Sequence, residues 1–438
     1  MRLACLVALA IRWVVPVVSA AGYYVDPASG DMANPGTSAR PWSTLEAVFT
    51  AGKTFAAGDV IYLRDGYHGE PVVKGKADGA VTITAQPGHK PGLRSLTFDN
   101  AAHWIASGLR ISPEISGAPG KVILVKINAS SRAITLEDCD LYSAGSIAGW
   151  TKEDWLARAC GGITSFAPAT TLRNNRISAI NHGIVLNREC VGSRVSRNTI
   201  ANFSADGIRG LSDDTVYDYN LVKNAFAVDA NHDDGFQSWS GGRGGEKVGS
   251  GVVKNVTLRG NTFISYTDPD QPLKSRMQGI GCFDGFFENW TVENNLVVTD
   301  QYQGIAFYGA RNCRIVNNTV IKNPINGHDI APWLKVTAHK NKSPSTGNTV
   351  RNNLVWAMTN AKDIGTEDHN LVSTNPEEHF VNYAGFNFML IAGSKARDAG
   401  SATLAPVLDI DEVPRDAHPD IGAFEYGGGR VATRRQHR

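Results

Sequence analysis

The densest run of ionisable side chains in the sequence is Asp229-Ala-Asn-His-Asp-Asp-Gly-Phe-Gln-Ser-Trp239. Asp206-Gly-Ile-Arg209 and Asp213-Asp214 precede it, and Asp268 to Met277 follows it, carrying Lys274 and Arg276 up to Gln278. These types support a definite chemistry. Asp206, Asp233 and Asp234 offer hard oxygen ligands for a calcium ion, or a general acid and base pair. Lys274 or His232 could abstract a proton once its pKa is lowered. Arg209 could pair with an anionic substrate group, and Arg276 or Tyr308 could assist a leaving group. The competing reading is that Asp233 and Asp234 only cap turns. So many ionisable groups within neighbouring repeats favour a site.

The elements that must position these residues repeat along the chain. Thr171-Leu-Arg-Asn-Asn-Arg-Ile177, Val195-Ser-Arg-Asn-Thr-Ile200, Val256-Thr-Leu-Arg-Gly-Asn-Thr-Phe263, Ile315-Val-Asn-Asn-Thr-Val320 and Val350-Arg-Asn-Asn-Leu354 share one phrase. Its last Asn falls at 175, 198, 220, 261, 295, 318 and 353, with gaps of 23, 22, 41, 34, 23 and 35. The short gaps are one coil and the long gaps a coil plus an insertion. A period near 22 with short alternating strands and a turn-forming Asn predicts an all-β parallel β-helix. Asn fits because it bonds local backbone and tolerates left-handed turns, and stacked Asn side chains extend the ladder from coil to coil.

A second phrase reads His182-Gly-Ile, Asp206-Gly-Ile, Asp234-Gly-Phe, Gln278-Gly-Ile and Gln303-Gly-Ile. Aligned on the Gly, Ile184, Ile208, Phe236, Ile280 and Ile305 form an inward stack. Val185, Arg209, Gln237, Gly281 and Ala306 then face outward. The next outward row reads Asn187, Leu211, Trp239, Phe283 and Tyr308, which is either a sugar-stacking platform or an apolar strip under loops. With Gln237 and Gln278, these aromatics are the candidate substrate-binding residues.

Composition sets the outer limits. The 438 residues carry 43 Lys+Arg against 42 Asp+Glu, with 45 glycines. A dedicated nucleic-acid binder would show a basic excess. Met1 to Ala20 reads as a secretory signal ending in a small-residue site, so a secreted or periplasmic protein is expected. No later stretch is long and apolar enough to span a bilayer. Residues 21–426 read as one solenoid domain, expected to be monomeric, and 427–438 as a flexible basic tail. Setting aside Arg2, Arg12 and the four tail arginines leaves 37 basic residues against the 42 acidic ones, so the body is acidic. Six cysteines without Cys-x-x-Cys pairs argue against a zinc ribbon. They leave open a Cys160–Cys190 bridge or buried free thiols.

Tyr23-Tyr-Val-Asp-Pro with Asn34-Pro-Gly-Thr-Ser-Ala-Arg-Pro-Trp-Ser-Thr44, Gly58-Asp-Val-Ile-Tyr-Leu-Arg-Asp-Gly66, Ile83-Thr-Ala-Gln-Pro-Gly88 and Asp420-Ile-Gly-Ala-Phe-Glu425 resemble the opening, first coils and closing phrase of secreted right-handed parallel β-helix proteins. The resemblance is to the pectate-lyase-like superfamily, and it covers nearly the whole mature chain. It implies an acidic polysaccharide substrate cleaved by β-elimination. The C6 carboxylate is neutralised by calcium or Arg, the C5 proton is taken by Lys or His, and O4 is protonated. Polygalacturonase-like hydrolysis, C5-epimerisation and non-catalytic glycan binding are the alternatives. Asn326-Gly-His-Asp329 lacks the second Gly of the hydrolase motif, and Asn231-His232-Asp233-Asp234 is only loosely like the epimerase motif.

Four insertions, 145–160, 241–251, 266–277 and 335–347, are expected to flank the rungs. The stretch around Trp150 and Trp155 is expected to form a short helix that walls the groove or covers an open end of the solenoid.

Overall fold

The computed structural model describes residues 20–118, 120–242, 246–325 and 327–427. Residues 1–19 (where a secretory signal is expected, and which include Cys5), Asn326, the centre of the 241–251 insertion and the tail from 428 lie outside the described residues. What is described is a right-handed parallel β-helix whose coils present three faces.

The first face, here the site face, stacks Gly161–Ser165, Ile184–Leu186, Asp206–Gly210, Asp234–Trp239, Gln278–Asp284, Gln303–Tyr308 and Trp333–Thr337 in parallel. The second stacks Thr171–Arg173, Arg194–Ser196, Val216–Asp218, Thr257–Arg259, Thr291–Glu293, Arg314–Val316 and Asn348–Arg351. The third includes Asp140–Tyr142, Arg176–Ile180, Thr199–Phe203, Leu221–Ala225, Thr262–Ile264, Leu296–Thr299 and Thr319–Lys322. Ile184, Ile208, Phe236, Ile280 and Ile305 stack inward and are fully buried, as the aligned phrases predict. The core runs as one column up the solenoid, so the fold lengthens without a second core.

The corner between the second and third faces is the asparagine ladder. The Nδ2 of Asn198 donates to Asn220 Oδ1 at 3.0 Å and to the Leu172 carbonyl at 2.9 Å. Its backbone N–H donates to the same Asn220 oxygen. The pattern runs from Asn175 through Asn220, Asn261, Asn295, Asn318 and Asn353 to Asn370. One detail differs from expectation. The left-handed residue is the one before the ladder Asn: Asn174 (φ 56°), Arg197 (57°), Tyr219 (56°), Gly260 (63°) and Asn294 (55°). The ladder Asn is therefore selected for its side-chain amide, and the residue before it takes the backbone strain.

Helix Lys152–Arg158 forms where a short helix was expected, closed by a capping box of Thr151 and Asp154. It packs on Phe226 and Val228, at the turn between the third face and the site face. Trp155 lies 4.6 Å from the ring of Phe226, and Trp150, Trp155, Ala159, Phe226 and Val228 make one buried cluster. A second helix, Leu45–Thr50, buries Leu45 and Val48 against the first coils.

The solenoid does not run to residue 426. Its last rung is Leu371–Val372, and residues 376–427 fold back so that Phe380, Phe388, Ile410 and Ile421 cover Ile264, Leu296, Val298 and Ile321 of the third face. All five described cysteines are buried free thiols. Cys160 and Cys190 lie on different rungs with separate carbonyl partners, Gly120 and Ser165. No bridge joins them.

Candidate functional site

The site face puts Asp206, Asp234 and Gln278 in register on three successive rungs. They occupy the position before the glycine of each repeated phrase. That glycine is required by packing: a Cβ on Gly279 would sit 2.2 Å from the Gly304 carbonyl oxygen and 2.4 Å from Val297. The turn therefore stays tight, and the residue before it is held at the edge of the sheet.

Asp206 and Asp234 are almost wholly buried, at 1% and 0% exposure. Each is half-satisfied. Asp206 Oδ2 accepts from Arg209 Nε at 2.8 Å and from a second guanidinium nitrogen of the same side chain. Asp234 Oδ2 accepts from His232 Nδ1 at 2.6 Å and from Gln237 Nε2 at 3.1 Å. The other oxygen of each carboxyl, and Oε1 of Gln278, are buried with no hydrogen-bond partner among the described residues. Burial pushes both carboxyl pKa values up, and Arg209 and His232 pull them back toward ionisation.

Two side chains reach solvent over these carboxyls. His232 is half exposed and Arg209 about a fifth exposed. The hydrogen bond to Asp234 raises the His232 pKa against its partial burial, with help from the charges of Asp234, Asp206 and Asp233. Arg209 also stands over the Trp239 ring, 4.9 Å from its centroid. His182, one rung earlier in the same column, behaves in the opposite way. Burial and the nearby Arg209 lower its pKa to about 4, and its Nδ1 accepts the Asp206 backbone N–H at 3.3 Å. It is a neutral acceptor that fixes the strand edge.

The aromatic row is only partly as expected. The strand register slips between Ser238 and Trp239, so Trp239 pairs with Asp284. Phe283 and Tyr308 meet edge to face at 5.3 Å, whereas Leu211 is buried. Gly281 leaves room for the site: a Cβ there would lie 2.7 Å from Asp234 Oδ1 and 2.6 Å from the Phe283 ring.

Three expected participants stand apart. Lys274 Nζ donates to the Pro269 carbonyl at 2.6 Å and the Gln271 carbonyl at 3.0 Å, inside its own insertion, so its ammonium does not join the cluster. Arg276 is exposed, with no partner among the described residues. Asp233 alternates to the other side of the chain from Asp234 and bonds Ser275; burial and the charges of Asp206, Asp234 and Asp229 push it up to about 8. The three carboxylates therefore do not converge. Among the described residues no group of three His, Cys, Asp or Glu side chains is arranged to hold a metal ion. With Arg209 and His232 already compensating Asp206 and Asp234, the donor set does not fit a calcium cage.

His182 and Ser275 carried no role in the sequence reading. The signal for His182 was present, since it opens the first of the aligned phrases. Nothing marked Ser275, which reaches Asp233 from an insertion.

Residues 161–355 match the family described as right handed beta helix region. No curated protein matches the sequence. Among solved structures, XylC in complex with xylose is similar at 12% identity and TM-score 0.51, over 78% of this chain and 76% of that one. Pectate lyase Pel9A is similar at 15% identity and TM-score 0.46, over 94% and 98%. The A-module of mannuronan C-5 epimerase AlgE6 from Azotobacter vinelandii is similar at 14% identity and TM-score 0.42, over 75% and 85%. At these identities the likeness is one of fold. The three-faced parallel coils and the matched region together make this chain a right-handed parallel β-helix.

Proposed function

We propose that the protein cleaves an acidic polysaccharide by β-elimination, acting outside the cytoplasm. The observation that carries this is the layering of the site. The groups a sugar can touch are an imidazole and a guanidinium, and the carboxylates lie behind them, each holding one of the two. Arg209, with Asp206 fixing one edge of its fork, offers its remaining donors to the C6 carboxylate. That interaction strengthens as charge moves onto the carboxylate in the transition state. His232, oriented through Nδ1 by Asp234, presents Nε2 as the base for the C5 proton. As the C5–H bond breaks, its electron pair forms the C4–C5 double bond and the C4–O4 bond breaks. O4 then takes a proton, a role assigned to Tyr308 two rungs along. Trp239 and Phe283 supply flat apolar walls for the pyranose rings.

Hydrolysis is the less favoured reading for the same reason. It needs a carboxyl acid on the glycosidic oxygen, and Asp206, Asp233 and Asp234 are at most 2% exposed. Incubation with pectate, alginate and glycosaminoglycans separates the two. Growth of the unsaturated-uronate ultraviolet band is expected on the true substrate. New reducing ends without that band would replace elimination with hydrolysis, and an altered proton spectrum at constant chain length would replace it with epimerisation.

A further inference from the structure

A second set of cations lies on another face of the solenoid. On the third face, Ser178, Ala201 and Lys223 are in register on successive rungs, beside the parallel row Arg176, Thr199 and Leu221. Ala144 to Ile147, the start of the insertion that carries the Lys152–Arg158 helix, closes one side and makes a cleft lined by Arg176, Ser178, Thr199, Ala201, Asn202 and Lys223.

The charges in this cleft are not balanced. Lys223 is partly buried and has neither a hydrogen-bond nor an ion-pair partner among the described residues. Arg176 faces only Asp140, at 4.0 Å, with both side chains well exposed. Two cations two rungs apart on one face, one of them partly desolvated, repel each other at a cost unless an anion joins them. Burial, and after it the charge of Arg176, lower the Lys223 pKa; no carboxylate acts against that shift. The rest of the lining combines hydroxyls and the Asn202 amide with small and apolar side chains, which suits a sugar ring lying flat over Ala201.

We infer that this cleft is a second glycan site, separate from the catalytic face, that binds the carboxylate of an acidic sugar through Lys223 and Arg176. The choice of an acidic sugar rests on the proposed activity; the cleft and its two cations do not. Such a site would hold one part of a polymer on the third face while another part is processed on the site face.

The test is galacturonate binding to the full chain, followed by calorimetry or ligand-observed NMR, with galactose and inorganic sulfate as comparison ligands. Saturable binding of galacturonate, at least about tenfold tighter than galactose or sulfate, is expected. Lys223→Gln should weaken it by about tenfold or more, and Lys223→Arg should largely restore it. The Lys223-dependent part of the signal should persist in His232→Gln. Equal binding of galactose overturns the proposal, as does sulfate binding as tightly as galacturonate, or indifference to Lys223→Gln with the variant's melting temperature unchanged. Loss of binding in His232→Gln would also overturn it, because the signal would then come from the site face. If polymer cleavage fails while Lys223-dependent binding persists, the proposed activity falls and the second site stands.

Discussion

Two columns of polar side chains climb this solenoid, and they solve the same geometric problem in opposite ways. At the asparagine corner every rung offers two donors and one acceptor, and the neighbouring rungs consume them. Asn261 donates to Tyr217 O and Asn295 Oδ1 and accepts from both the backbone and the side chain of Asn220. On the site face Asp206, Asp234 and Gln278 stack just as regularly, yet three of their acceptor atoms are buried without a donor. A column that saturates itself is architecture. A column left short of donors costs stability, and such deficits mark places where function competes with folding.

The comparison breaks most visibly on activity. His232→Gln removes an imidazole that is hydrogen-bonded to a buried carboxylate and half open to solvent. A rate loss of about 10²–10⁴ is expected for a lost general base, with the melting temperature nearly unchanged. A variant that keeps full rate on the true substrate would remove His232 from the mechanism. Asn261→Ala should do the reverse. It strands the Tyr217 carbonyl and two donors of Asn220 and removes one of the two donors to Asn295 Oδ1, so a loss of about 3 kcal/mol or more is expected by denaturant titration. Activity per folded molecule should stay intact. A loss under about 1 kcal/mol would mean the ladder is ornamental, since that is the net worth of a single ordinary hydrogen bond.

The next effect is on the pH profile. A base works as the neutral imidazole, so the rate should rise with pH through the His232 pKa. That pKa is raised by the bond to Asp234. Asp234→Asn removes the charge, lets the pKa fall, and should move the acid limb of kcat/KM to lower pH while lowering its plateau. An acid limb that stays in place would assign it to another group.

Much of this architecture was legible in the chain. The Asn phrase gave the corner because a coil must turn at a fixed register, and the Gly-Ile phrase gave the site face because its glycines cannot carry a Cβ. An insertion of nearly twenty residues did not obscure the ladder: Asn220 reaches Asn261 across 41 residues with the geometry seen across 22. The site was half legible. Arg209 and Asp234 lie within repeated phrases, where period fixes position, and His232 stands two residues before one. Lys274 lies in an insertion, where no period applies, and two backbone carbonyls claim its ammonium. Adjacent in sequence, Asp233 and Asp234 looked like one cluster, but strand alternation sends them to different partners. The slip at Trp239 and the return of residues 376–427 over the third face are tertiary effects with no local signature.

Asp233 gives a smaller, thermodynamic test of the same contrast. Its folded pKa is about 8, against about 4 for an unstrained Asp. The folded state therefore binds the proton more tightly than the unfolded chain. That contribution is fully present below about pH 4 and is lost as pH rises toward about 8, so Asp233 makes the fold less stable with rising pH. Asp233→Asn should flatten the stability profile across that window and leave the variant more stable than the parent at its upper end. A profile unchanged by the substitution would mean that the carboxyl is ionised and compensated in the fold.

The smallest expected effect is that of removing calcium. The two columns differ in what could saturate them: the Asn ladder needs nothing, and the Asp column needs positive charge or donors. Here the guanidinium of Arg209 and the imidazole of His232 already occupy one oxygen of each carboxyl, and Asp233 is turned to Ser275. A calcium ion needs six to eight oxygens at about 2.4 Å and would have to displace both cations to collect them. Activity on the true substrate should therefore stay within about twofold in excess chelator, since an ion that is not held adds no charge stabilisation. A loss restored by calcium, and not by magnesium, would show instead that Arg209 and His232 swing away from Asp206 and Asp234 on loading. The free oxygens of that column would then be metal ligands waiting for their ion.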